Sequence, residues 1–337
     1  MSNLVKAYAV QSPKGLLEPF TYEAAALAPH EVRVKVKYCG ICHSDMSMIN
    51  NEWGLSQYPL VPGHEVIGTV SEVGSDVTSH QVGEVVGIGW QSGSCAHCDY
   101  CNRGKQHLCS QERATIVYRH GGWAESLVVD ASFAVHVPEA LNIPEAAPLM
   151  CAGNTVFSPI LHYGVKPNMN VAVVGIGGLG HLAVQFLSKW GCDVTAISST
   201  HSKDDEARAL GASHFIATKG TDELKKAANK FDFIISTVSA DLPWADYIGA
   251  LRPEGNLVIV GVPENTVNIP AFGLIEREKR VSGGRASSPV DIAAMLDFAA
   301  RKGVKAVSEV YSLADVNAAL ARMKEGKVRY RAVLTVS

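Results

Sequence analysis

The sequence has no apolar run long enough to span a bilayer, no internal repeat and no low-complexity tract. The first absence excludes a chain built on membrane-crossing helices, and the other two exclude a solenoid or a fibrous repeat. Neither sign of charge is in marked excess: 30 Lys and Arg stand against 33 Asp and Glu, a formal net charge of -3. That balance gives no electrostatic case for nucleic acid or an anionic membrane as a partner. The start, Met1-Ser-Asn-Leu-Val-Lys-Ala, lacks a basic segment followed by an apolar one, so the expected compartment is the cytoplasm.

What remains is the composition of a soluble globular protein, 47% hydrophobic and 19% charged. Its 337 residues exceed what one hydrophobic core usually serves, so two domains are expected. The eight cysteines, at 39, 42, 95, 98, 101, 109, 151 and 192, are unevenly spread, with most of them in two short clusters. In a reducing compartment such clusters read as metal sites before disulfides.

From Glu31 to Lys37 the residues alternate, with Val32, Val34 and Val36 against Arg33, Lys35 and Lys37. Period two with β-branched residues predicts a half-buried strand, and Lys6–Val10, Val66–Val73 and Glu84–Ile88 continue the pattern. Residues 1 to about 150 therefore read as mostly β with irregular loops. Within them, Cys39-Gly-Ile-Cys42-His43-Ser44-Asp45 and Pro62-Gly63-His64-Glu65 bring together thiols, imidazoles, carboxylates and a hydroxyl, a mixture suited to a borderline-soft metal and to proton movement.

A second cluster runs Cys95-Ala-His-Cys98-Asp-Tyr-Cys101 and on to Cys109. Thiolates spaced by two, two and seven residues are able to close a tetrahedron around zinc, and a closed four-sulfur shell leaves no place for substrate, so this site is expected to be structural. His97 and His107 lie inside it and read as surface residues.

After Cys151 the texture changes. Residues 153–166 read as a helix, followed by an apolar strand Val171–Val174, the turn Gly175-Ile-Gly177-Gly178-Leu179-Gly180 and a helix His181–Trp190. A buried strand, a glycine turn and a helix are the context in which this motif binds a pyrophosphate: glycines allow close approach and the helix N-terminus supplies unpaired N–H groups. Strands at Val194–Ser198, Phe231–Ser236 and Leu257–Val260, helices at Asp204–Leu210 and Trp244–Leu251, a last helix over 312–326 and a closing strand Tyr330–Val336 complete the reading, that of a doubly wound parallel sheet after the β-rich part.

The combination resembles the zinc-dependent medium-chain alcohol dehydrogenases, in particular the cinnamyl-alcohol-dehydrogenase type and its bacterial aldehyde reductase relatives. The resemblance rests on Cys42-His-Ser-Asp45, Gly63-His64-Glu65-x-x-Gly68, the four-cysteine lobe, Cys151-Ala-Gly and Gly175 to Gly180. It implies an α/β chain with a GroES-like, mostly-β catalytic domain over 1–152 and 285–337 and a Rossmann NADP-binding domain over 153–284.

The resemblance further implies a catalytic zinc on Cys42, His64 and Cys151 with a position left for water, substrate or Glu65; a structural zinc on Cys95, Cys98, Cys101 and Cys109; Asp45 orienting His64; and Ser44 opening a proton relay. Taken from local sequence alone, Cys151 reads equally well as a buried thiol. Where many relatives complete the relay with histidine this chain has Ser47, which is not a base near neutral pH. His43, Thr155, Gly175, Gly177, Gly178, Leu179, Gly180 and Arg331 are implied to touch the cofactor, Arg331 at its pyrophosphate.

Cofactor preference has a local argument. NAD sites carry a carboxylate about twenty residues past the glycine turn, whereas Ser198-Ser199-Thr200-His201-Ser202-Lys203 reaches Asp204 before offering one. Hydroxyls and a lysine suit a 2′-phosphate, hence NADP(H). Trp53, Tyr58, Trp90 and Trp123 stand in segments that border the site in the family this chain resembles, and the resemblance thus implies an apolar pocket for aromatic or medium aliphatic aldehydes. The expected activity is hydride transfer between NADP(H) and small-molecule alcohols or aldehydes by a homodimer or homotetramer. The alternatives are an NAD-dependent alcohol or polyol dehydrogenase and a nucleotide-binding protein that kept the fold without the chemistry.

Overall fold

In the computed structural model, which describes residues 4–24 and 26–336, the chain forms two compact units. One runs through Asn154 and resumes at Ala286; the other is Thr155–Arg285.

The first unit is built on a mainly antiparallel sheet whose central strand, Glu31–Ile41, is its longest at 11 residues. Along the sheet the order is Ser308–Ser312, Arg331–Thr335, Glu31–Ile41, Val66–Val73, Val85–Ile88 and Val135–His136, and Ser126–Asp130 also pairs with the central strand. Val32, Val34 and Val36 face the core with 0–1% exposure, as their period predicts. A separate hairpin-like pair, Leu4–Val10 with Leu17–Glu23, adds Ala7, Ala9 and Val10 to the same core.

The second unit is a six-stranded, all-parallel sheet in the order His214–Ala217, Asp193–Ser198, Asn170–Val174, Phe231–Ser236, Leu251–Ile259, Arg280–Gly283. The strand order turns back beside Asn170–Val174, the strand that feeds the glycine turn, which is where such sheets place a nucleotide. Val171, Ala172, Val173 and Val174 are all buried, because helices cover both faces of a parallel sheet. The fold is therefore the expected pairing of a GroES-like β unit and a Rossmann unit.

Several boundaries differ from the sequence reading. The helix expected over 153–166 spans Ala152–His162, since Gly164 takes a left-handed φ of 65°. The strand expected at Leu257–Val260 begins at Leu251. The last helix starts at Val316, after a short turn Leu313–Asp315 capped by Ser312. The structure also contains a 14-residue helix, Pro289–Lys302, that the sequence reading left out.

Candidate functional site

The central strand Glu31–Ile41 delivers the chain to Cys42, which caps the helix His43–Asn50 in an extended conformation. Asp45, in the first turn of that helix, is fully buried. Its Oδ2 accepts the Cys42 N–H at 2.9 Å, and its Oδ1 accepts the Gly63 N–H at 2.9 Å while lying 2.9 Å from His64 Nδ1. An ionised carboxylate only accepts, so Nδ1 carries the proton and Nε2 is left with its lone pair. That Nε2 is buried without a hydrogen-bond partner. Gly63 makes the turn possible: its φ is 101°, and a side chain there would fall 2.5 Å from Trp123.

Coordinating atoms of Cys42, His64, Glu65 and Cys151 all lie within 4.8 Å of one another. Cys151 arrives from far along the chain, at the end of the turn Pro144–Met150 and just before the helix Ala152–His162. Glu65 is fully buried; its Oε1 accepts from Arg331 Nη2 at 2.5 Å and its Oε2 has no hydrogen-bond partner. Room for that carboxylate comes from Gly40, where a side chain would meet Glu65 Oε2 at 2.0 Å.

The electrostatics follow from this crowding. Burial pushes the Glu65 carboxyl up to about 7, with Arg331 opposing the rise. Burial works against a charge on the His64 ring while Asp45 favours one, so the carboxylate that fixes the ring also draws positive charge, as a proton or a metal cation, to its far nitrogen. The Cys42 thiol is held well below its usual range, first by a hydrogen bond from Cys151 and then by His64 and Arg331. Two sulfurs, an imidazole lone pair and a spare carboxylate oxygen, buried together with unspent donor capacity, are a costly set for a folded protein to keep unless a cation satisfies them. Two cysteine sulfurs and an imidazole match a borderline-soft divalent ion such as zinc, whose binding would displace the proton that Cys151 shares with Cys42.

The second cysteine cluster also converges: sulfurs of Cys95, Cys98, Cys101 and Cys109 lie within 4.8 Å of one another. Backbone N–H groups point at them, Cys98 N to Cys95 Sγ and Gln111 N to Cys109 Sγ, each at 3.3 Å. N–H groups of His97 and Cys98 bring the Cys95 thiol down to about 6, the behaviour of a sulfur held as thiolate. His97 turns to the Cys95 carbonyl and stays exposed. His107, read from the sequence as a surface residue, is instead only 5% exposed and faces Ser287; a polar residue in a polar loop gave no local sign of that partner.

Three other expected residues stand on or near the first helix. Ser44 is partly buried, its Oγ 3.8 Å from Cys42 Sγ, and His43 is exposed. Ser47 Oγ donates to Glu52 Oε2 at 2.7 Å, while Asn50 Nδ2 donates to Glu52 Oε1 at 2.8 Å. Glu52 was missed from sequence, although a carboxylate five residues past Ser47 was there to be noticed. Arg331 is turned inward: besides Glu65 it donates to the Ile41 carbonyl at 3.0 Å. The sequence resemblance had assigned it to a pyrophosphate, and here its observed partners are those of a counter-charge.

Of the aromatic residues, Trp90 meets His64 edge-to-face at 5.1 Å, and Trp53, 46% exposed, meets Trp90 at 5.8 Å. Trp123 does not belong with them as a pocket wall: it is fully buried in the core. Tyr58 is partly buried and donates its hydroxyl to the Ile49 carbonyl at 2.9 Å.

In the second unit, Gly175 takes a φ of 87°, and a side chain on Gly180 would fall 1.7 Å from the Gly175 carbonyl, so the turn closes only with glycine. A side chain on Gly177 would meet nothing within 4 Å, so open space lies in front of the turn. Gly178 and Leu179 continue it into the helix Gly180–Trp190. Thr237, not singled out from sequence, pins the turn: its one hydroxyl proton is shared between the carbonyls of Val174 at 2.9 Å and Gly175 at 3.0 Å. Lys203 Nζ donates to the Ile176 carbonyl at 2.6 Å, which holds the segment after Ser198 beside the glycine turn. Ser199 and Thr200 are exposed there, and the carboxylates of Asp204 and Glu223 face His201. Thr155 is buried on the helix Ala152–His162.

Comparison with known proteins agrees with this geometry. Residues 28–139 match the alcohol dehydrogenase GroES-like domain and residues 178–301 the zinc-binding dehydrogenase domain. An aldehyde reductase of Synechocystis sp. is 46% identical over 99% of both chains. A cinnamyl alcohol dehydrogenase of Sorghum bicolor, 40% identical, superposes with a TM-score of 0.93 over 98% of this chain and 97% of its own. One from Helicobacter pylori, solved with NADP(H), is 29% identical and superposes at 0.91 over 99% of both.

Proposed function

Because the chain belongs to the zinc-dependent medium-chain alcohol dehydrogenases, oxidoreductases of alcohols and aldehydes, we propose that it transfers hydride between NADP(H) and primary alcohols or aldehydes, working mainly as an aldehyde reductase. What carries the reading is the convergence of partly buried Cys42 with buried His64 and Cys151, with His64 Nε2 left unpaired within reach of the two sulfurs.

Zinc on those three residues would polarise a carbonyl oxygen while the nicotinamide supplies hydride. The chain's own residues do the rest. Asp45 fixes the tautomer and orientation of His64. Arg331 balances Glu65, whose second oxygen is a reserve donor for the same cation. Ser44, beside Cys42 Sγ, passes a proton to the carbonyl oxygen, which takes up the C=O π electrons as hydride forms the new C–H bond. Ser47, three residues further along the helix and thus on the same face, connects that hydroxyl to Glu52, an exposed carboxylate in contact with solvent, so that protons travel inward along this path in reduction and outward in oxidation. Trp90 and Trp53 wall an apolar approach to His64, which favours aromatic and medium aliphatic substrates.

In this reading residues 1–152 and 285–337 form the catalytic domain and 153–284 the cofactor domain. Gly175 to Gly180 take the pyrophosphate, with Thr155 assisting, and Ser198, Ser199, Thr200 and Lys203 take the 2′-phosphate. A second, structural zinc sits on Cys95, Cys98, Cys101 and Cys109. The cytoplasm is the compartment in which these eight thiols stay reduced; no disulfide joins any of them. The exposed apolar residues Phe272 and Ile275 and the edge strand Arg280–Gly283 support self-association as a homodimer or homotetramer.

A panel of aromatic and aliphatic aldehydes assayed with NADPH and NADH, alongside zinc content, tests the proposal. Reduction with NADPH preferred and two zinc ions per chain is the expected result. NADH preference with polyols as the best substrates would favour the NAD-dependent alternative, and nucleotide binding with no turnover would favour a non-catalytic protein.

A further inference from the structure

The turn Gln106–Leu108 lies between two sulfurs of the four-cysteine lobe, and His107 leads out of the lobe rather than toward them. Its Nδ1 is 3.1 Å from Ser287 Oγ, and that hydroxyl donates to Asp291. A hydroxyl has one proton, so Ser287 accepts from His107. The backbone carbonyl of Ser287 in turn accepts from Asn154 Nδ2 at 3.0 Å. Asn154 is fully buried and stands three residues past Cys151. His107, Ser287 and Asn154 thus form a buried polar path from Cys109 to Cys151, all inside the first unit.

Packing follows the same route. Asp291 is in the first turn of the helix Pro289–Lys302. On the lobe side, a side chain on Gly104 would lie 3.5 Å from Val290 of this helix; on the Cys151 side, one on Gly153 would lie 3.3 Å from Met295. The first two turns of this helix thus pass close to the backbone of both segments. Buried polar groups tolerate little displacement, because a broken hydrogen bond there leaves a desolvated group unpaired.

We propose that His107 is a positioning residue: metal held by the four cysteines fixes, through His107, Ser287 and Asn154, the position of Cys151, and so sets how tightly Cys42, His64 and Cys151 hold their own metal. The proposal rests on the reading that both sets bind zinc. Coupling of this kind is reciprocal and of the order of tenfold in affinity. A residue that merely stabilised the lobe would, when replaced, release the lobe's metal first.

The full-length protein is equilibrated with a graded series of zinc chelator and its zinc counted, then reconstituted with cobalt(II) for its thiolate charge-transfer spectrum. His107→Phe and Ser287→Ala, the second removing a single oxygen, are each expected to keep the lobe metal while releasing the other at about tenfold lower chelator strength, with a shifted cobalt spectrum. His107→Gln, which keeps an N–H donor, is expected to restore parent behaviour. Variants that keep both metals as tightly as the parent, or lose the lobe metal alone, overturn the coupling. A parent that binds only one metal overturns the coupling and the functional reading together, whereas a parent with two metals and unaltered variants overturns the coupling only.

Discussion

Asp45 Oδ1 lies 2.9 Å from His64 Nδ1 while the other oxygen of the same carboxylate holds the N–H of Cys42. One buried side chain therefore sets the ring of one proposed ligand and the backbone of another. Metal affinity at this site is expected to depend on a residue that does not touch the metal.

Asp45→Asn keeps the shape and removes the charge. It is expected to weaken zinc retention at Cys42, His64 and Cys151 by about 10–100-fold, the usual cost of losing such a partner, and to leave the four-cysteine zinc in place. Metal content after dialysis against a moderate chelator checks this.

The two glycines of the nucleotide turn should fail differently. Gly180→Ala drives a methyl into the Gly175 carbonyl and is expected to disturb folding of the unit, lowering Tm. Gly177→Ala fills open space, so its Tm should match the parent while cofactor binding, followed by nicotinamide fluorescence, falls.

Ser199→Asp introduces a carboxylate where the segment after Ser198 offers hydroxyls. Like charges brought together at a binding site cost several kcal/mol, so NADPH affinity is expected to drop by roughly 100-fold with NADH little changed. An unaltered ratio of kcat/KM for the two cofactors would remove the argument from this segment.

Ser47 and Glu52 give a pH signature. Hydrogen bonds from Asn50 and then Ser47 hold the Glu52 carboxyl below its ordinary value, so it stays ionised throughout the neutral range. Ser47→Ala removes one of those bonds and lets the value climb toward the ordinary carboxylate range, still below neutrality. Alcohol oxidation must shed a proton, so Ser47→His adds a base that works only when neutral: oxidation by that variant is expected to rise as pH passes about 6.5, a step the parent lacks. Rate-against-pH profiles of the two variants decide the matter.

Much of this was legible because it is local. The alternation of Val32, Val34 and Val36, the glycine turn and the two-residue cysteine spacings each carry their physics within a few positions. The missing parts join distant residues: Arg331 to Glu65 across 266 positions and His107 to Ser287 across 180. Neither partner announces the other, and His107 was accordingly read as a surface residue. The helix Pro289–Lys302 is a different case. Ser288 before it, Pro289 at its first position and Gly303 after it are ordinary start and stop signals, so this helix is written in its own local sequence.

The distribution of the thiols has a practical consequence. Cys39 is fully buried and its thiol is pushed well up by burial; Cys192 is pushed up to about 11 for the same reason. Both are poor nucleophiles at neutral pH, and the other six cysteines belong to the two proposed metal sets. A colourimetric thiol reagent added to the fully loaded native protein should therefore develop almost no signal. Slow colour would time the departure of zinc, making the protein a reporter of its own metal loss with no label attached.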